Sequence, residues 1–139
     1  MSDFDDGTLA ASFGAGWAVS DDKMANGQSS ATVTVVDGGA SGTPKALEIG
    51  GTISAAVPYA WAGAMFTPGA QMMSPVNLSS KKEVRFWARG DGQTYRVMIF
   101  AESKGFAPLT QTFVAGTDWA EALAVAALRP RCSSEARTA

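Results

Sequence analysis

The chain has 139 residues and a net charge of −2, and 46% of its residues are hydrophobic while 17% are charged. That length fits one globular domain, and the composition excludes general disorder, because disordered chains carry few apolar residues. The acidic balance offers no positive field, so we expect neither nucleic acid nor anionic lipid as a partner. The chain has no histidine, which excludes a Ser-His-Asp triad, a Cys-His pair and every zinc site that uses histidine.

The sequence carries no targeting signal that we recognise. No run of about 18 apolar residues occurs, so membrane insertion is not expected. The first residues, MSDFDDG, are acidic where a signal peptide needs a basic region and an apolar run. As the sequence stands, we therefore expect a cytoplasmic protein. The single cysteine, Cys132, predicts no internal disulfide.

The hydrophobic pattern predicts an all-β fold. Apolar residues recur mostly at every second position, and clusters of glycine or proline interrupt them, which is typical of sandwiches and barrels. Alternation predicts strands over 30–35, around Leu47 and Ile49, and over 59–67, with a hairpin between the first two. A further short strand is predicted at Phe113 and Val114.

A longer hairpin is predicted over residues 82–102. Gly90-Asp91-Gly92 supplies the positive-φ positions of a short loop between two alternating strands. In the first of these strands Phe86 faces one way and Trp87 the other, so one face of the strand is aromatic and basic.

The segment after Trp119 differs in composition. Alanine dominates there, which predicts a short helix over 120–128 that Pro130 would stop. The sequence thus predicts an all-β domain, a sandwich or a barrel, over 1–119 and an atypical tail over 120–139, with the last strands of the domain missing. A domain without its last strands exposes sheet edges, so we also expect self-association.

Short motifs follow one another in a fixed order along residues 3–119. In chain order they are Phe4-Asp5-Asp6-Gly7, Trp17 with Ser20-Asp21, Gly27-Gln28-Ser29-Ser30, Leu47-Glu48-Ile49-Gly50-Gly51, Asn77-Leu78-Ser79, Val84-Arg85-Phe86-Trp87-Ala88-Arg89-Gly90-Asp91-Gly92 and Tyr95-Arg96-Val97. In these motifs the chain resembles the complex I intermediate-associated protein 30 family, and the block RFWARGDG is the most specific of them.

The resemblance implies a two-sheet antiparallel jelly-roll sandwich of the galactose-binding-like type that serves as a non-catalytic module. In eukaryotes the family includes an assembly factor for respiratory complex I, and in bacteria its domain is often attached to hydrolases or stands alone. We therefore expect a bacterial accessory module that is not an enzyme and binds a protein partner. The alternatives are a carbohydrate-binding module and an accessory-domain fragment of a larger hydrolase such as an amidohydrolase.

The candidate binding surface is an aromatic and basic face. It consists of Trp87, Arg85, Arg89 and Arg96, with Trp61 from a separate strand. An indole ring stacks on a sugar or on a partner's side chain, and a guanidinium group holds carboxylate or hydroxyl oxygens. The alternative is that Trp87 belongs to the packed core and the arginines form a solvated rim.

Acidic residues offer a second candidate site. Asp3, Asp5 and Asp6, with Asp21 and Asp22, supply the oxygen ligands that a structural calcium ion uses, although without EF-hand spacing. The alternative is that these aspartates cap backbone N–H groups in turns. No catalytic residue and no other cofactor is predicted, because nothing in the sequence places two carboxyl groups in a common pocket.

Overall fold

The computed structural model describes residues 1–105 and 107–125, and its regular structure is almost entirely strand. In this part of the chain the strands are β1 (Gly16–Asp21), β2 (Ser30–Asp37), β3 (Lys45–Thr52), β4 (Ala62–Thr67), β5 (Glu83–Ala88), β6 (Thr94–Ile99), β7 (Leu109–Val114) and β8 (Ala120–Val125). Two short 3-10 helices, η1 (Asp22–Ala25) and η2 (Glu102–Lys104), lie between strands. Every pairing among these described strands is antiparallel, and the predicted all-β fold is confirmed.

The chain divides into two compact units, Met1–Val76 and Asn77–Ala139. In the first unit β2 pairs with β3, and β1 pairs with β4. In the second unit β6 pairs with β7, and β5 pairs with β8. The described strands of both units therefore have the same nested order: the first and last of the four pair with each other, and the two strands between them pair with each other. Antiparallel pairing of this kind is consistent with the predicted sandwich, while the jelly-roll order stays a prediction.

The β2–β3 hairpin follows directly from the sequence pattern. Val33 and Val35 are half-buried while Thr32 and Thr34 are exposed, as period-two alternation predicts. The N–H of Gly38 donates to the carbonyl oxygen of Pro44 at 2.7 Å and closes the connection. The predicted hairpin is therefore confirmed.

Aromatic packing ties the N-terminal segment to β1 and β4. Trp17 and Phe66 are opposite one another in the ladder, with ring centroids 5.4 Å apart. Phe4 lies 5.9 Å from Trp17, and Phe13 lies 5.4 Å from Phe66. The indole N–H of Trp17 donates to the hydroxyl of Ser2 at 3.1 Å. The residues before β1 therefore cover the aromatic side chains of this strand pair.

A buried carboxylate organises the rest of the first unit. Asp22 is 0% exposed, and its oxygens accept hydrogen bonds from the N–H of Ser29 at 2.8 Å, the hydroxyl of Ser29 at 2.7 Å and the N–H of Trp61 at 3.3 Å. The hydroxyl oxygen of Ser29 accepts in turn from the N–H of Ser54 at 3.0 Å. This Asp22 network of Asp22, Ser29, Ser54 and Trp61 joins η1 to the segments that flank β2, β3 and β4.

The hydrogen bonds keep Asp22 ionised despite its burial. Burial raises the pKa of the Asp22 carboxyl, but the bonds from Ser29 and Trp61 outweigh burial and lower the pKa below its ordinary value of 3.8. A buried charge is tolerated only when such partners satisfy it. The network therefore depends on all of its donors.

The predicted hairpin over 82–102 is wrong. The described strands β5 and β6 lie in different sheets, and the loop between them bonds to the residues that follow β7. The N–H of Gly90 donates to the carbonyl oxygen of Gly116 at 2.6 Å, and that of Gly92 to Ala115 at 2.7 Å. A Cβ at Gly90 would come within 2.9 Å of the Cβ of Ala115. Gly90 thus serves a close non-local contact, whereas Gly92, with φ 82°, takes the positive-φ conformation that the sequence predicted.

The predicted helix over 120–128 is also wrong for the residues that the structure describes. Ala120–Val125 form β8, whose backbone pairs with β5 from Ala88 back to Glu83. The expectation that no strand follows Trp119 is wrong for the same reason. Alanine's helix propensity is worth only a few tenths of a kcal/mol per residue (about 0.5), and pairing with β5 overrides it. The part of the predicted tail beyond residue 125 lies outside the described residues.

We expect Asp22→Asn to remove a pH-dependent part of the stability. Because the pKa of Asp22 is lower in the folded chain, the carboxylate stabilises the fold above about pH 3.8 and this contribution is lost as the pH falls through the folded-state pKa. The urea midpoint of the variant should lie well below that of the parent at neutral pH, and the two should converge in acid.

The matched control is Asp37→Asn, since Asp37 carries an exposed ion pair to Lys45 at 2.7 Å and exposed pairs contribute little. Urea unfolding followed by tryptophan fluorescence over a pH series provides the measurement. A midpoint difference for Asp22→Asn that is the same at every pH would contradict this role of the carboxylate.

Candidate functional site

Strand β5 presents Trp87 on its outward face. The side chain of Phe86 points the other way and contacts Phe113 of β7, with ring centroids 5.1 Å apart in an edge-to-face arrangement. Trp87 is 49% exposed. Directly opposite Trp87 in the ladder lies Glu121 of β8. The prediction that Phe86 and Trp87 face opposite sides of the strand is therefore confirmed.

Two carboxylates hold the guanidinium of Arg85 beside Trp87. Nε of Arg85 lies 2.5 Å from Oε1 of Glu83, and a terminal nitrogen lies 3.5 Å from Oε1 of Glu121. The hydrogen bond with Arg85 lowers the pKa of Glu83, and the bond and charge of Glu83, followed by those of Glu121, raise the pKa of Arg85. These pairs are exposed, so their main effect is on the orientation of Arg85 rather than on stability.

Arg89 stacks on a second tryptophan. Its guanidinium carbon lies 4.9 Å from the ring centroid of Trp119, within the range of a cation–π interaction. Trp119 stands two residues before Glu121. We name the outward surface formed by Arg85, Trp87, Arg89, Trp119 and Glu121 the Trp87 face.

Arg96 lies on another strand pair. Its neighbour Tyr95 points toward Phe113, with ring centroids 5.9 Å apart, so alternation puts Arg96 on the opposite side of β6. There it is exposed and pairs with Thr112 in the ladder. Arg96 is therefore not part of the Trp87 face.

Trp61 belongs to the first unit, and its hydrogen bonds are to residues of that unit. Its indole N–H donates to the hydroxyl of Ser20 at 3.2 Å, and its backbone N–H donates to Asp22. Its carbonyl oxygen accepts from the N–H of Asp22 at 3.1 Å. Trp61 is partly buried, and these bonds fix it within the first unit.

Sequence reasoning missed Trp119 and Glu121. Both come from the segment that opens β8, and the alanines after them favoured a helix. The one signal available was the period-two spacing of Trp119 and Glu121, which matches that of Arg85 and Trp87 on β5.

The N-terminal aspartates mainly serve turns. Asp3 accepts from the N–H of Asp5 at 3.2 Å, Asp6 from the N–H of Thr8 at 2.9 Å, and Asp21 from the N–H of Lys23 at 3.2 Å. Bonds from the backbone and the hydroxyl of Thr8 lower the pKa of Asp6. Within residues 1–105 and 107–125, no three acidic or cysteine side chains are grouped so that they would hold a metal ion.

Neither of the described helices has the length or the apolar character that crossing a membrane requires. The fold and the Trp87 face define an all-β protein that presents an exposed aromatic and basic surface. A family model, described as complex I intermediate-associated protein 30, matches residues 3–128. The chain belongs to this family. The match continues past Trp119 and includes β8. No curated protein and no solved structure was found to match.

We expect the two aromatic residues of β5 to differ in their effect on stability. Trp87→Ala removes a half-exposed ring and should lower the free energy of unfolding by roughly 1 kcal/mol, whereas Phe86→Ala should cost about 3 kcal/mol. Urea unfolding of both variants provides the comparison. A loss for Trp87→Ala that equals or exceeds that for Phe86→Ala would place Trp87 in the packed core.

Structural calcium stays a prediction. An ion that binds only the folded chain raises its melting temperature, so melting curves in chelator and in excess calcium should differ if Asp3, Asp5 and Asp6 hold one. Identical curves would remove calcium from the description of this protein.

Proposed function

We propose that the chain is a non-catalytic module that binds a protein partner through the Trp87 face. The observation that carries this proposal is the combination of a half-exposed Trp87 with Arg85 and Arg89, each already held in place on the same face. Membership of a family described as associated with a complex I intermediate supports an assembly role.

The composition of the face suits a protein contact. Tryptophan and arginine are the residue types that most often dominate the binding energy of protein interfaces. Arg85 is oriented by Glu83 and Glu121, and Arg89 is oriented by Trp119. Side chains that are held before binding lose less conformational entropy when the partner docks.

The carboxyl groups whose pKa values are displaced among the described residues are not suited to act as general acids. A general acid needs a raised pKa to keep its proton near neutral pH. Among the described residues, the displaced carboxyl pKa values are all lowered, and they belong to Asp6, Asp22, Asp37, Glu83 and Asp91. Hydrogen bonds are the chief cause that lowers each of them, so none of these five groups is a candidate general acid.

A carbohydrate ligand is the second candidate. The exposed ring of Trp87 would stack on a sugar, and the neighbouring Glu121 and Arg85 would bond to its hydroxyl groups. The charges of Arg85, Glu83 and Glu121 already compensate one another in part, which suits a neutral polyhydroxy ligand. The same face would serve an accessory domain of a larger hydrolase.

Partner recovery with surface variants tests the proposal. We expect Trp87→Ala to reduce recovery of the bound partner strongly, since truncation of a central interface tryptophan costs about 2 kcal/mol or more. Arg96→Ala is the matched control, because Arg96 is an exposed arginine of the same unit outside the Trp87 face.

Affinity purification with quantitative mass spectrometry gives the readout, and a glycan array run with the same variants separates the two candidates. Loss of glycan signal with Trp87→Ala would select the carbohydrate function. Recovery of the same proteins in the same amounts by the parent, Trp87→Ala and Arg96→Ala would rule out the Trp87 face as the contact surface.

A further inference from the structure

Asn26 and Gly27 connect η1 to β2 in the first unit. Asn26 ends η1 in the left-handed conformation, with φ 61° and ψ 24°, and is exposed. Asparagine is one of the few residues besides glycine that adopt this conformation readily. A Cβ at Gly27 would lie 2.2 Å from the carboxyl carbon of Asp22. The geometry of η1 thus favours asparagine at 26, and the buried carboxylate requires glycine at 27.

An Asn-Gly pair is chemically labile, because glycine has no side chain to shield its backbone nitrogen. The nitrogen of Gly27 can attack Cγ of Asn26. This nitrogen loses its proton and forms a bond to Cγ, the bond from Cγ to the side-chain nitrogen breaks, and that nitrogen takes up a proton and leaves as ammonia. Water then opens the resulting cyclic imide at either carbonyl and gives aspartate or isoaspartate.

The folded geometry opposes this attack. The five-membered ring requires the nitrogen of Gly27 to lie beside Cβ of Asn26. At a ψ of 24°, the nitrogen of Gly27 instead nearly eclipses the backbone nitrogen of Asn26 when viewed along the Cα–C bond. It therefore lies away from Cβ. The N–H of Gly27 also donates to the carbonyl oxygen of Asp22 at 2.8 Å, and the N–H of Asn26 donates to Lys23 at 3.1 Å. Reaction therefore requires η1 to open first.

We propose that Asn26 is a latent deamidation site that the Asp22 network keeps closed, so that only molecules in which η1 has opened are converted. Isoaspartate routes the main chain through the former side chain and adds a carbon between positions 26 and 27. Gly27 then no longer fits against the carboxylate of Asp22, because this carboxylate lies too close for Gly27 to shift toward it. Conversion to isoaspartate therefore prevents the Asp22 network from forming again, whereas conversion to aspartate leaves the main chain unchanged.

Peptide mapping by mass spectrometry tests this on the whole chain. The chain is incubated at mildly alkaline pH in native buffer and in concentrated guanidinium chloride, and deamidation at Asn26 is followed over time. We expect the native rate to be lower by at least roughly tenfold, because only the locally opened population reacts. Asn77, which precedes Leu78, is the internal control and should react slowly in both conditions. Equal rates at Asn26 in the two conditions would overturn the proposal.

A variant isolates the contribution of the network. Ser29→Ala removes the hydroxyl that bonds to Asp22 and should accelerate deamidation at Asn26 in native buffer, with no change in denaturant. Ser30→Ala, at the adjacent exposed serine, should leave both rates unchanged. A folded Ser29→Ala chain with the parental native rate would show that the network does not control the site. If Ser29→Ala does not fold, the comparison of native and denatured parent decides alone.

Discussion

In each unit the first described strand pairs with the last, and the non-local contacts of the unit depend on this pairing. Between β1 and β4, and between β5 and β8, the chain passes through two further strands before the ladder forms. The free energy gained from such pairing offsets the entropy lost in closing the intervening chain only when the whole unit is assembled. In the first unit the Asp22 network adds polar contacts among the same segments, and in the second the contact of Phe86 with Phe113 joins the two strand pairs.

Local features of the fold were predictable from the sequence, and long-range pairings were not. Alternation located β2, β3 and the inward and outward sides of β5, because period two is a property of each strand by itself. Gly90 and Gly92 read as a local turn, yet their N–H groups bond to carbonyls more than twenty residues away. A helix was predicted over Ala120–Val125 because helix propensity depends only on the residues themselves. Pairing with β5 instead determines their conformation.

The candidate site divides in the same way. The residues that β5 contributes, Arg85 and Trp87, followed from their alternation with Phe86. Trp119 and Glu121 could not be predicted in this way, because they lie at the start of β8, a segment for which the sequence pattern predicted a helix. Only the ladder brings Glu121 opposite Trp87. Arg96 shares the residue type and the exposure of the others but belongs to another pair, which no short-range pattern reveals.

The nested order of the strands has a consequence for how the chain tolerates cuts and grafts. All the ladders described in the first unit end before Val76, and all those in the second begin after Asn77. A nick, an inserted peptide or a fused domain at this junction would therefore interrupt no backbone ladder. The same change between β2 and β4 would cut or lengthen the connection between paired strands, such as β1 and β4. The junction between Val76 and Asn77 is thus the natural place to join this protein to a reporter.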